Sequence, residues 1–189
     1  MFILGSSSVA RYDLLVAAGL MPDKVVVPNI NEAQRKSESP TDYVRRMAIE
    51  KVTSLKTRAE DILLTADTVV VSNRVVLHKT SEREIARNYI KSLSGKRHRV
   101  FTAVAIKEQN NISCFLVKTT LKMKRLCENE IDQYLNSEEW VGKAGGYSIQ
   151  GRALSFFTFI SGCYSNVVGL PIPKITNIIG NKFVRSEDG

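Results

Sequence analysis

The sequence predicts an α/β fold built on an extended mixed β-sheet with flanking helices, and three observations carry that expectation. Short β-branched runs alternate with segments of helical period along the chain, and turn-bounded pairs of such runs call for antiparallel hairpins. No repeat or low-complexity linker breaks the pattern. With 189 residues, 43% of them hydrophobic, the chain can bury a substantial core, and it reads as one domain over residues 1–189.

Phe2 to Leu4 reads as a buried strand stopped by Gly5. Ser6-Ser7-Ser8 then offers caps for a helix over 10–18, which Gly19 ends. A second strand covers 25–27, closed by Pro28. Thr41 is the expected cap of a helix from Asp42 to about Arg58, with Met47, Val52 and Leu55 at helical spacing. The apolar run 62–71 is a strand with one carboxylate in its middle, turned at 72–74 into a strand over 75–77. Ser81 should cap a helix running to Leu93. Residues 100–107 and 112–123 should pair around Asn110-Asn111. A helix over 128–135, a glycine-rich loop over 142–151, strands at 156–160 and 166–170 and a helix over 172–179 complete the reading.

The formal net charge is +8, from 27 basic and 19 acidic residues, which favours a polyanionic partner. The cations are scattered without interleaved aromatics, so nucleic acid is not the expected partner. Three distant cysteines without CxxC spacing and only two histidines argue against a disulfide framework or a zinc site. No signal segment or membrane-length apolar run is present, so the expectation is a cytoplasmic protein with no membrane partner.

Asp67 is the most informative residue. A carboxylate in an apolar strand costs several kcal/mol if left ionised and unpaired, so it is either tied to a neighbour or employed as a base or metal ligand. Ser6, Ser8 and Arg11 lie where a helix N-terminus would favour a phosphate. Lys51 and Lys79 are further candidate phosphate partners, Glu32 a second carboxylate, and Gln150 an amide able to meet a base edge. Each taken singly is more often a cap, a solvated lysine or a loop residue. Jointly they suit Mg²⁺, which binds through one or two carboxylates plus phosphate oxygens.

The ordered motifs resemble the Maf family of nucleotide pyrophosphatases over nearly the whole chain. The opening Ile3-Leu4-Gly5-Ser6-Ser7-Ser8-Val9-Ala10-Arg11, the loop Asn29-Ile30-Asn31-Glu32 and the helix Tyr43-Val44-x-Arg46-x-Ala48-x-x-Lys51 each match a family motif. So do Ala66-Asp67-Thr68-Val69-Val70, Lys79, the Leu93-Ser94-Gly95-x-x-His98-x-Val100-x-Thr102 segment, Lys143 to Gly151, and Tyr164 to Pro171. The resemblance implies hydrolysis of a nucleoside triphosphate to the monophosphate and pyrophosphate, in a cleft between two lobes. It implies Asp67 as proton acceptor and Glu32 with Asp67 as ligands of Mg²⁺ or Mn²⁺. Ser6, Ser8, Arg11, Lys51 and Lys79 would surround the phosphates, and Thr68 and Gln150 fall at positions linked to base choice in the dTTP/UTP branch. Family members often form dimers, so a homodimer is the assembly it suggests. Ala10 stands where the family has its first arginine, Asn29 and Asn31 where it has acids, and Thr80 where it has proline. Two alternatives stand beside this reading: a pyrophosphatase for modified purine nucleotides such as 7-methyl-GTP, and a non-catalytic nucleotide- or nucleic-acid-binding regulator of cell division.

Overall fold

The computed structural model describes residues 1–109 and 111–180. Its strands are β1 (Phe2–Gly5), β2 (Lys24–Val25), β3 (Ile62–Ser72), β4 (Val75–Leu77), β5 (Arg97–Glu108), β6 (Asn111–Met123) and β7 (Phe157–Ser161). The helices are α1 (Val9–Ala17), α2 (Pro40–Ser54), α3 (Arg83–Leu93), α4 (Glu128–Asn136), α5 (Tyr164–Val168) and α6 (Ile172–Ile179). All seven strands join one sheet in the order β2-β1-β3-β5-β6-β7, with β4 hydrogen-bonded to β3 off that path. β1 runs parallel to both β2 and β3, and every other pairing is antiparallel. The mixed α/β sheet expected from the sequence is therefore present. Among the described residues no helix is long and apolar enough to cross a membrane.

β3 is buried almost throughout, and the period of two splits its side chains between the sheet's faces. Leu63, Val69 and Val71 pack with Val44, Met47, Ala48 and Val52 of α2. Ile62, Leu64 and Ala66 face the other way, onto Leu15 of α1 and Ile175 and Ile179 of α6. Farther along that second face, Val70 meets Ile90 and Leu93 of α3 and Ile131 and Leu135 of α4, in a cluster that also holds Trp140 and Tyr147. Truncating a buried leucine such as Leu64 to alanine costs about 2–5 kcal/mol. Asp67 thus belongs to the α2 face and Thr68 to the α1 face, although they are neighbours in sequence.

Several boundaries differ from the sequence expectation. Ser39, not Thr41, caps α2: its Oγ accepts the Asp42 N–H at 3.2 Å, and Pro40 takes the first turn, where its missing N–H costs nothing. The helix ends at Ser54 instead of Arg58 because Leu55 is already extended. Glu82 takes the cap position expected for Ser81. The expected strand over 166–170 is instead α5. There the Asn166 side-chain Nδ2 donates to Thr119 Oγ1 at 3.0 Å and Val100 O at 3.4 Å, and the Asn166 backbone carbonyl accepts from Thr102 Oγ1 at 2.8 Å. Those side-chain bonds satisfy groups a strand would pair in a ladder, and they override the β-branched Val167-Val168. A 3-10 turn over Arg152–Phe156 precedes β7 and was not expected. The turn expected at Asn110-Asn111 involves Asn110, which lies outside the described residues; Asn111 pairs with Glu108.

Candidate active site

The site is built around the centre of β3. On the α2 face, Lys51 Nζ lies 2.6 Å from Asp67 Oδ1 and 3.0 Å from Glu32 Oε1. Lys51 and Asp67 are both buried, whereas the Glu32 side chain is 46% exposed. The carboxylate burial that looked costly in the sequence is thus offset by an ammonium delivered from α2. Burial pushes the Glu32 carboxyl up, but the Lys51 hydrogen bond and the charges of Lys51, Lys79 and Arg11 outweigh it and leave it below the ordinary glutamate value. The Tyr43 hydroxyl donates to Glu32 O at 2.8 Å and so steadies the loop that carries Glu32. Burial, then the nearby Asp67 and Glu32, raise the Tyr43 hydroxyl to about 12, so it keeps its proton.

On the other face, Arg11 reaches back from the first turn of α1. Its Nε donates to Gly169 O at 3.0 Å, Nη1 to Ala66 O at 2.8 Å and Ser6 Oγ at 3.3 Å, and Nη2 to Thr68 Oγ1 at 3.0 Å. A guanidinium has five N–H donors, so one on Nη2 remains without a partner among the described residues. Burial lowers the Arg11 pKa while Asp67 and Glu32 oppose the shift; a guanidinium titrates so high that it keeps its charge. The Thr68 hydroxyl lies 3.0 Å from Thr102 Oγ1, whose proton goes to Asn166 O, so Thr68 donates inward. Ser8 caps α1 and Ser6 Oγ accepts the Ser8 N–H at 3.1 Å. Both serines therefore shape the loop, and Ser8 also borders the open space.

Two cavities meet where Thr68, Lys79 and Ala144 line both. With its open mouth, the one on the α1 face holds about 820 Å³ and adds Ser8, Arg11, Lys143, Tyr147 and Gln150. The one on the α2 face holds about 520 Å³ and adds Glu32, Tyr43, Asp67 and His78. The Lys79 ammonium makes no hydrogen bond or ion pair among the described residues, while its backbone pairs with Ala144. Desolvation and then the like charge of Arg11 hold its ammonium below the usual lysine value, partly countered by Asp67 and Glu32. A free cation held beside Arg11 and Lys143 is a receptor for an anion.

The loop carrying Gln150 is fastened from outside itself. Gly145 and Gly146 take positive φ, and a Cβ on Gly145 would stand 2.9 Å from Val70. The Ser148 N–H donates to Tyr134 Oη at 3.0 Å, and His98 Nε2 and Tyr147 Oη are 2.9 Å apart. His98 Nδ1 is buried without a partner; burial lowers the His98 pKa to about 4, so the imidazole is neutral. Gln150 is exposed in the cleft with no hydrogen bond among the described residues.

The structure therefore brings Ser8, Arg11, Thr68, Lys79 and Gln150 to one cavity and Glu32, Asp67, Thr68 and Lys79 to the other. Lys51 stands behind the two carboxylates and Ser6 behind Arg11. The reading of single residues missed Lys143, Tyr147, Thr102 and Asn166; all four lie within the matched motifs, which was the only signal for them. No cluster of three or more His, Cys, Asp or Glu suited to a metal occurs among the described residues. The donor set does fit a hard cation shared with a ligand: two carboxylates from different elements open on the same cavity and converge on one positive charge.

The family model described as Maf-like protein matches residues 1–182. The chain belongs to this family. A dTTP/UTP pyrophosphatase of Roseobacter denitrificans is 42% identical over 179 residues, covering 95% of each chain. A nucleoside triphosphate pyrophosphatase of Neorickettsia sennetsu is 43% identical, covering 94% of this chain and 86% of the relative. Among solved structures, a HAM1 protein from Coxiella burnetii has a TM-score of 0.51 at 11% identity, over 95% of this chain and 98% of that one. At that identity the likeness concerns the fold alone. The Maf motifs of the opening loop, of α2 and of β3 are the segments that surround the cleft.

Proposed function

We propose that this Maf-family protein hydrolyses nucleoside triphosphates to the monophosphate and pyrophosphate and prefers dTTP and UTP. The observation that carries the reading is the meeting of two cavities at Thr68 and Lys79, one presenting carboxylates and the other cations with a free amide. The names of the relatives at about 40% identity point the same way. In this reading Lys79 and Arg11 receive the phosphates, with Ser8 at the helix N-terminus beside them, and Lys143 adds a further cation. Asp67 takes the proton of a water that attacks the α-phosphorus; the new P–O bond forms as the α–β bridging bond breaks, and pyrophosphate leaves. Lys51 holds Asp67 and Glu32 in place and balances their charge. A divalent cation, Mg²⁺ or Mn²⁺, held by Glu32, Asp67 and the phosphate oxygens, would draw charge from the phosphates. Gln150 offers a donor and an acceptor to the base, which suits the O4/N3–H edge shared by thymine and uracil. One domain, a two-lobed cleft and a cytoplasmic setting belong to the same reading.

A pyrophosphate-release screen over dTTP, UTP, CTP, GTP and 7-methyl-GTP, with Mg²⁺ and with Mn²⁺, tests it. Release from dTTP and UTP above the purine nucleotides is expected. A preference for 7-methyl-GTP would overturn the pyrimidine assignment, and release from none of them would overturn the enzyme.

A further inference from the structure

The residue after Gln150 opens the 3-10 turn with no cap of its own. Gly151 is the N-cap and has no side chain to accept the first free N–H. That N–H, on Arg152, donates instead to Glu139 Oε2 at 2.7 Å, a carboxylate 13 residues earlier in the chain. The Gly151 backbone lies so close over this carboxylate that a Cβ there would collide with Glu139 Oε2. Its φ of −109° is open to any residue, so what a side chain at 151 would do is push the Glu139 carboxylate out of its place. Glu139 lies three residues past the end of α4 and just before the buried Trp140, whose Nε1–H donates to Leu135 O at 2.9 Å. The carboxylate is therefore carried by the segment anchored behind α4 and not by the glycine-rich stretch it holds.

From this contact we infer that Glu139 is a positioning residue for base selection. By capping the turn from the segment that follows α4, it fixes the backbone on which the Gln150 amide, unpartnered among the described residues, stands in the cleft. Tyr134 and His98 fasten the loop upstream, at Ser148 and Tyr147, and Glu139 is the fastening downstream of Gln150. A side chain that must present its donor and acceptor to a base edge loses discrimination when its backbone is free to shift, because mismatched pairings are then relieved by movement. The inference rests on the proposed reading of Gln150 as the group that meets the base.

The test compares kcat/KM for UTP and GTP in wild type, Glu139→Ala, Glu139→Gln, Gln150→Ala and the Glu139→Ala/Gln150→Ala double variant. In Glu139→Ala the UTP:GTP ratio is expected to fall about tenfold, the scale of one lost hydrogen bond to a charged group. kcat for UTP should hold. Glu139→Gln should restore the ratio, since its amide oxygen still accepts the Arg152 N–H. The double variant should match Gln150→Ala, as expected for residues acting through one another. If Gln150→Ala lowers the ratio while Glu139→Ala leaves it unchanged, or slows both substrates alike, Glu139 is merely structural and the inference falls with the site reading intact. If Gln150→Ala itself leaves the ratio unchanged, the reading of Gln150 falls and takes the inference with it. Should Glu139→Ala not fold, Gly151→Ala presses on the same carboxylate from the other side. A lowered ratio there supports the inference, and an unchanged one overturns it.

Discussion

Asp67 and Thr68 are consecutive residues of one strand, yet the two faces of β3 they point to are built in different ways. On the Asp67 face, charges saturate one another: Lys51 on α2 meets Asp67 on β3 and Glu32 on its loop at 2.6 and 3.0 Å. On the Thr68 face, the Gln150 amide and the Lys79 ammonium are left without partners among the described residues, and the surrounding loop is held by bonds from outside it. The difference separates two tasks. A group that must take a proton at a set position is best held by an ion-pair cluster, whereas a group that must meet a ligand has to be held by its backbone with its side chain left free.

The sharpest break of that contrast is Asp67→Asn, which keeps the shape of the strand and removes the charge. Turnover is expected to fall about 10²–10⁴-fold, the usual loss for a general acid–base group, with triphosphate binding retained. Pyrophosphate release near the wild-type rate in a folded variant would show that the Asp67 face does not carry the reaction. Next is Lys51→Met, which strands two carboxylates. Leaving a buried charge without its partner costs about 3–5 kcal/mol, so urea unfolding should shift to markedly lower midpoint. An unchanged midpoint would mean that the cluster is not closed as described.

The Thr68 face should respond in selectivity. Gln150→Ala is expected to lower the ratio of kcat/KM for UTP over GTP by about tenfold while the urea midpoint stays put. A large loss of stability in this variant would mean that Gln150 is part of the framework and not a free reader. The smallest effect is on pH. His98 is buried neutral under Tyr147, with its pKa lowered from 6.5 to about 4. The unfolded chain therefore binds the extra proton first, and the stability owed to a neutral His98 is lost as pH falls from about 6.5 toward 4, with no effect above that window. His98→Asn should flatten the Tm profile over that interval, and an unaltered slope would assign it to other groups.

The sequence made Asp67 legible as a single residue, because a carboxylate in a β-branched run needs a partner, but Lys51 reads there as a phosphate partner and the structure pairs it with Asp67 and Glu32. The period of two also allows Asp67 and Thr68 to be sent to opposite faces. On the Thr68 face, Ser8, Arg11, Lys79 and Gln150 could be named singly, whereas Thr68 itself came only through the matched motifs. Nothing local in Val167-Val168 signals a helix, because the bonds that hold α5 come from Thr102, Thr119 and Val100 on β5 and β6. The cap at Arg152 was invisible for the same reason: its acceptor, Glu139, lies 13 residues earlier in the chain. The expected cap at Thr41 failed for a local reason, since Ser39-Pro40 is the better start for α2.

Trp140 is the only tryptophan in the sequence, and it lies buried in the cluster beneath the Thr68 face, directly after Glu139. Two residues on, the Gly142 N–H is bonded to Thr80 O, beside Lys79. The protein thus carries one indole, which can be excited apart from the tyrosines and is packed against the loop that would meet a base, away from the opposite face of β3. Its emission is a built-in optical gauge of events on one side of the cleft, able to separate nucleotide engagement from changes among the carboxylates without any label.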